Sequence, residues 1–237
     1  MPKIRAIIFD CYSTLIDIKT NEEKEEVYNY LSLYLQYYGV RMDAERLKSA
    51  LYAEKEQYLQ SQKERYPEVD LETVFSNILK KEDRDNPFLA ESCCKLLRVL
   101  SRERFQLFPD SLPVLEEMKK GGYPTAVVSD AQKVFYREEG EILGINRFFD
   151  FIVVSTQFGF KKPDPRLFNL ACTLLDVPPV EAVYIGNDPE VDVNGAKQIN
   201  MQAILLDREA KNKNQEPKPD FYATNLWEAW EWIKRSG

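Results

Sequence analysis

The chain has 237 residues, with 32 Lys+Arg, 39 Asp+Glu, no histidine and a formal net charge of −7. The missing imidazole excludes a Ser-His-Asp triad, a Cys-His pair and an HExxH zinc site, and the acidic balance argues against nucleic acid or an anionic membrane as partner. The 44% of hydrophobic residues supply a sizeable core for one large or two modest domains, so any chemistry rests on carboxylates, lysines, hydroxyls, thiols or a metal held by oxygen.

Residues 4–9 form a short, nearly unbroken apolar run that predicts a strand buried on both faces. Charge then rises and the spacing becomes helical through residues 20–104. Leu31, Leu35 and Tyr38, then Leu47, Leu51, Glu54 and Tyr58, recur at three and four. Gly39 is expected to end the first helix, and Pro67 and Pro87 punctuate the rest, predicting about four helices. After Phe108-Pro109-Asp110 the pattern alternates. A helix over 111–120, stopped by Gly121-Gly122, precedes a strand at 125–128. A further helix follows, then a strand at 151–154, a helix from Pro165, a strand at 182–185, a helix over 189–199 and a strand at 202–206.

Repeated β-α-β implies right-handed crossovers and a parallel sheet with helices on both faces. The predicted fold is therefore α/β: a Rossmann-like, doubly wound core made of residues 1–17 and 105–237, with an all-α insertion over 18–104. Residues 211–219 read as a polar loop. Residues 225–234 read as a terminal helix whose Trp227, Trp230 and Trp232 pack on the flank of the sheet. Cys11, Cys93, Cys94 and Cys172 have no metal-binding spacing and read as reduced thiols. No signal-peptide profile and no long apolar stretch are present, so a cytoplasmic protein is expected.

Open parallel sheets bind ligands beyond the carboxyl ends of their strands. The residues there are Asp10-Cys11-Tyr12-Ser13-Thr14, Ser129-Asp130, Gly159-Phe160-Lys161-Lys162-Pro163, and Gly186-Asn187-Asp188-Pro189-Glu190-Val191-Asp192. By type alone, Asp10 could serve a turn, Ser129 could cap the following helix and Lys162 could be a surface lysine. Asp164-Pro165 and Asp188-Pro189 each read as a helix N-cap followed by proline at the first helical position, and Asp192 could simply favour a helix N-terminus.

Taken in this order, with Leu15-Ile16-Asp17, Lys162-Pro163-Asp164-Pro165 and Gly195-Ala196-Lys197, the set resembles the haloacid dehalogenase superfamily. That resemblance covers the whole chain and makes the helical insertion a cap over the site. It implies that Asp10 is a nucleophile, a role that suits a carboxylate able to form an ester or mixed anhydride. It also implies that Thr14, Ser129 and Asp130 contact substrate, and that Lys162 neutralises the nucleophile and the group transferred. Asp10, the Tyr12 carbonyl, Asn187 or Asp188, and Asp192 would hold Mg²⁺, a cation suited to hard oxygen ligands.

Four positions depart from the family pattern. Ser13 replaces a glycine, Asp130 an asparagine and Asn187 a metal-binding acid. Tyr12 stands where phosphatases carry the Asp that protonates the leaving group and where dehalogenases carry Tyr. The principal expectation is a Mg²⁺-dependent phosphatase acting on a small phosphate ester, with Tyr12, a cap carboxylate or water as proton donor. Four carboxylates against one ammonium, a net −3 from Asp10, Asp130, Asp188, Asp192 and Lys162, favour a metal. The alternatives are a metal-independent 2-haloacid dehalogenase acting on a small organic acid, and a catalytically weakened protein that binds a ligand. Against dehalogenation, the sequence 49–55 offers no cap arginine for a halide, and Phe168 stands where dehalogenases tend to carry Tyr. The scattered cap tyrosines, Tyr28, Tyr34, Tyr37, Tyr38, Tyr52, Tyr58 and Tyr66, point to no single metabolite, and no oligomeric state is implied.

Overall fold

The computed structural model describes residues 3–211 and 216–236; part of the expected 211–219 loop lies outside them. The core is one parallel sheet built from β1 (Ala6–Phe9), β4 (Thr125–Ser129), β5 (Phe151–Val154), β6 (Ala182–Gly186), β7 (Gln202–Leu206) and β8 (Phe221–Ala223). Its spatial order is β5-β4-β1-β6-β7-β8, so the chain runs outward from β1 to β5 and then returns to the other side of β1. The crevice where the direction reverses lies beyond the C-terminal ends of β1 and β6.

Strand parity explains the unbroken apolar runs. Ile7 and Phe9 enter one core, shared with Val127, Val183 and Ile185, while Ala6 and Ile8 enter another with Ala126, Val128 and Tyr184. A strand buried on both faces needs apolar side chains at every position. The covering helices are α5 (Ser111–Lys120), α6 (Lys133–Ile142), α7 (Pro165–Leu174), α8 (Asn194–Gln198) and α9 (Leu226–Ser236). On α9, Trp230 is buried edge-on against Tyr123 and Trp232 stacks on Phe221, as the sequence suggests, whereas Trp227 is exposed.

Helices α1 (Glu25–Tyr37), α2 (Ala44–Ser61), α3 (Leu71–Lys81) and α4 (Pro87–Ser101) form the helical insertion expected as a cap, packed around its own core, which includes Leu31, Leu35, Leu51, Phe75 and Leu97. Gly39 follows α1 in the left-handed region (φ +81°), and Asn86 caps α4 ahead of Pro87. Tyr38 departs from the expected pattern: it is exposed, and Tyr28 fills the cap core instead. The cap joins the core through an antiparallel ribbon that the sequence reading lacks, β2 (Ile16–Thr20) with β3 (Arg102–Leu107), straddling both expected boundaries.

The cap also lies against the core away from this ribbon. Pro67 pairs with Phe160, Glu68 N–H donates to the Gly159 carbonyl at 3.0 Å, and Lys161 N–H donates to the Tyr66 carbonyl at 2.9 Å. Gln132 closes the contact, accepting from Leu71 N–H at 2.9 Å and donating to the Val69 carbonyl at 2.7 Å. Phe135 of α6 completes it by burying its ring in the cap core.

Candidate active site

Asp10 leaves β1 into the crevice with its carboxylate buried. Lys162 Nζ donates to Asp10 Oδ1 at 2.8 Å, and Ser129 Oγ, at the end of β4, lies 3.4 Å from the same oxygen. Thr14 Oγ1 lies 3.1 Å from Asp10 Oδ2 and 3.2 Å from Asn187 Oδ1. One hydroxyl proton thus faces two acceptor oxygens, and only one of them can receive it.

Lys162 is buried as completely as Asp10 and bridges to Asp192 Oδ1 at 2.6 Å and to the Tyr184 hydroxyl at 3.0 Å. Burial opposes its charge, but Asp10 and Asp192 outweigh that effect and hold its pKa well above the ordinary lysine value. Burial raises the Asp10 carboxyl to about 6, with Lys162 pulling the other way and Asp192 adding to the rise. The second oxygen of Asp192 accepts from Asn187 N–H and Asp188 N–H, both at 3.0 Å. That carboxylate fits because Gly186 has no side chain: a Cβ there would meet Asp192 Oδ2 at 2.3 Å. Gly195 likewise leaves room for the Phe168 ring, which supports Tyr184 at a centroid distance of 4.9 Å.

The other expected residues divide. Asp188 caps the π-helical turn Pro189–Val193, accepting from Glu190 N–H at 2.8 Å and Val191 N–H at 3.0 Å. Asp164 caps α7, as its Asp-Pro pattern suggests. Asp130 Oδ1 accepts the Lys162 backbone N–H at 2.9 Å, which fixes the loop that delivers the ammonium, and burial raises its carboxyl to about 6. Ser129 turns to Asp10; the following helix begins at Lys133.

Tyr12 reaches from the site toward the cap. Its hydroxyl donates to Glu139 Oε2 at 2.6 Å. Arg98 of α4 grips the same carboxylate through Nε at 2.7 Å and Nη2 at 2.9 Å, with its guanidinium over both the Tyr12 and Phe135 rings. Burial, and secondarily Glu139, push the phenol well above its usual range, so it stays protonated and donates to Glu139.

A cavity of about 550 Å³ opens between cap and core beside Tyr12, Asp130 and Lys162. The cap contributes Glu22, Lys55, Glu68, Val69, Leu71 and Arg98 to its wall, and none of the scattered cap tyrosines. The arginine on this wall is Arg98 of α4, paired with Glu139. Sequence reasoning also overlooked Tyr184, Gln132 and Glu139. Only Tyr184 carried a sequence signal, as the single hydroxyl in the buried run of β6.

A buried carboxylate held by an ammonium and hydroxyls, beside a cap-covered cavity at the switch point, can attack an electrophile and carry the product as an ester or anhydride. The sequence profile of haloacid dehalogenase-like hydrolases matches residues 4–200. The chain belongs to this hydrolase family. A phosphoserine phosphatase of Thermus thermophilus is 32% identical over 127 residues, covering 54% of this chain and 51% of that protein. A glyceraldehyde 3-phosphate phosphatase of Methanopyrus kandleri is 34% identical over 113 residues, 48% of each chain. These matches span about half the length of the curated relatives. The crystal structure of a 2-haloacid dehalogenase from Pseudomonas syringae superposes over 100% of both chains with a TM-score of 0.78 at 24% identity, a likeness of fold. Among the described residues no helix is long and apolar enough to cross a membrane.

Proposed function

We propose that this family member hydrolyses small phosphate esters through an aspartyl-phosphate on Asp10. The observation that carries the reading is the environment of the Asp10 carboxylate, with the Lys162 ammonium and the Ser129 hydroxyl on one oxygen and the Thr14 hydroxyl on the other. In this reading an Asp10 oxygen attacks phosphorus, the bond from phosphorus to the leaving oxygen breaks, and water later cleaves the acyl phosphate. Lys162 and Ser129 balance the charge of nucleophile and phosphoryl group, while Asp192 and Tyr184 hold the ammonium in place. Asp130 fixes the Lys162 backbone. The cap contacts around Gln132 limit access of bulk water.

A divalent cation fits the donor set in chemistry. Among the described residues no three acidic or thiol side chains converge, yet Asp10 Oδ2 and Asn187 Oδ1 share one donor proton, which leaves an acceptor lone pair available to a cation. Asp10, the Tyr12 carbonyl and Asn187 would hold Mg²⁺, which would supply electrostatic stabilisation of the transferring phosphoryl group. Asp188, engaged with the helix amides, is the weaker candidate for this role, and Asp192 already serves Lys162 and two backbone amides.

Tyr12 favours a second reading, halide displacement from a 2-haloacid by Asp10. The pairing of Arg98 with Glu139 counts against it, because that arginine is already neutralised. The deciding experiment measures phosphate release from p-nitrophenyl phosphate with and without Mg²⁺, and halide release from 2-chloropropionate, for wild type and Asp10→Asn. Mg²⁺-stimulated phosphate release abolished by Asp10→Asn is the expected result. Metal-independent halide release would replace the phosphatase reading, and no turnover of either substrate would indicate a binding protein.

A further inference from the structure

Four cap tyrosines, Tyr30, Tyr34, Tyr37 and Tyr38, gather on the outer side of α1 and at its end. Tyr30, Leu33 and Tyr37 follow one another at three and four residues and are 57%, 62% and 84% exposed, and Tyr38 beside them is 43% exposed. Tyr34 is half-buried in the same stripe, edge-on to Tyr38 at 5.1 Å, and Tyr37 meets Tyr38 at 5.2 Å. Residues 27–40 contain no charged side chain, the longest such run in a chain that is 30% charged. The next longest, residues 151–160, begins in a strand of the core sheet. On α1 the uncharged run is a surface helix.

An aromatic side chain presents roughly 150–250 Å², so these exposures add up to about 500 Å² of contiguous uncharged surface, at the upper end of what monomers leave uncovered. We infer that this face of α1 is the contact between two copies of the chain, packed helix against helix about a two-fold axis. Charge selects this partner. With a net charge of −7, two copies repel each other over most of their surfaces, and an uncharged face is where they can meet. A strongly charged partner would find counter-charge only at the end of the stripe, where the exposed Arg84 lies against Gly39 and Arg41 follows. An anionic membrane would find no Lys or Arg along α1 itself, only Arg41 and Arg84 at its C-terminal end, too few for a polybasic contact.

The stripe is also self-complementary. A two-fold axis midway between Leu33 and Tyr34 sets Tyr30 against the partner's Tyr37 and brings Glu26 toward the partner's Arg41, which is exposed just beyond the end of α1. An isologous contact of this kind closes at two copies. Doubling the exposed area gives about 1,000 Å², near the lower bound of a specific interface, and Tyr is among the residues enriched in such interfaces.

Sedimentation velocity on the full chain from about 1 to 100 μM tests this. The expected result is a monomer–dimer equilibrium with a Kd in the range of about 1–50 μM, as a small interface implies. Leu33→Glu and Tyr37→Glu should each weaken it at least about tenfold with far-UV circular dichroism unchanged. Lys63→Glu, an exposed change beyond α2, should leave it intact. A wild type that is monomeric at 100 μM overturns the proposal, as does a dimer indifferent to Leu33→Glu. Binding of a monomeric wild type to phosphatidylcholine vesicles would reassign the face to lipid.

Discussion

The Tyr12 hydroxyl donates to Glu139 across the boundary between β1 and α6, and Arg98 of the cap grips the same carboxylate from the other side. The side chain standing where family phosphatases carry their proton donor is thereby committed to fastening cap to core. In the phosphatase reading, the leaving group receives no proton from this residue. Aryl phosphates, whose leaving groups need none, should turn over about 10²-fold or more faster than alkyl phosphates, within the range that general acid catalysis contributes. Tyr12→Phe should keep kcat on an aryl phosphate within about threefold of wild type. A far larger loss would return Tyr12 to the chemistry.

Lys162 stands between two buried carboxylates. Replacing it with Met leaves Asp10 and Asp192 facing each other without a cation, and removal of one partner from a buried ion pair costs about 3–5 kcal/mol. Urea unfolding of Lys162→Met at pH 8 should show a loss of that order, together with loss of phosphate release. The deficit should shrink at pH 5, where Asp10, raised to about 6 even with Lys162 pulling it down and higher without it, is protonated.

Asp10 and Asp130 both titrate near 6 in the folded chain. The nucleophile must be ionised, so kcat/KM measured without added metal should fall as pH drops through about 6. For stability the sign is opposite. A carboxyl with a raised folded pKa binds its proton more tightly when folded, so its contribution is full below the unfolded value and is lost as pH rises through about 6. Asp130→Asn keeps an acceptor for the Lys162 N–H and removes that titration. Between pH 4 and pH 8, wild type should therefore lose on the order of 1–2 kcal/mol relative to the variant, after allowance for partial exposure. Parallel stability curves for the two proteins would contradict this.

Asn187 and Asp188 are separable. Asn187→Asp sets a second carboxylate beside Asp10 and should lower the Mg²⁺ concentration needed for half-maximal activation by about tenfold, as ligand charge raises affinity for hard cations. Asp188→Ala removes an N-cap and should cost about 1 kcal/mol of stability while leaving that concentration unchanged. Mg²⁺ titrations of both variants check the assignment.

Ser13 occupies the left-handed region at φ 63°, where the family motif carries glycine. A side chain there costs about 1 kcal/mol, so Ser13→Gly should raise stability by up to that amount, readable as an upward shift in Tm.

Three of the site's strand ends were legible because apolar runs precede them: Asp10, Ser129 and Asn187 lie at or directly beyond the ends of β1, β4 and β6, while Lys162 joins them from the loop eight residues past β5. The β2–β3 ribbon was not legible. Its sequences, Ile-Asp-Ile-Lys-Thr and Arg-Glu-Arg-Phe-Gln-Leu, are charged and largely solvated, and the second follows directly from a helix. Strand β8, three residues long, falls below any periodicity. Arg98 and Glu139 lie 41 positions apart on amphipathic helices, and only the docking of cap on core joins them. Asp188 illustrates a different limit. Its motif position and its capping chemistry call for the same residue type, and only geometry shows where the carboxylate points.

Thr20 pairs with Arg102 across the ribbon, so the two ends of the 81-residue excursion between them emerge side by side, about 5 Å apart. A hairpin turn could join them directly. The portion that walls the cavity is thus a cassette: it can lengthen, shrink or be exchanged during evolution while the sheet, its switch point and the Asp10–Lys162–Asp192 chain stay in register. Selectivity and chemistry then diversify on separate stretches of the gene.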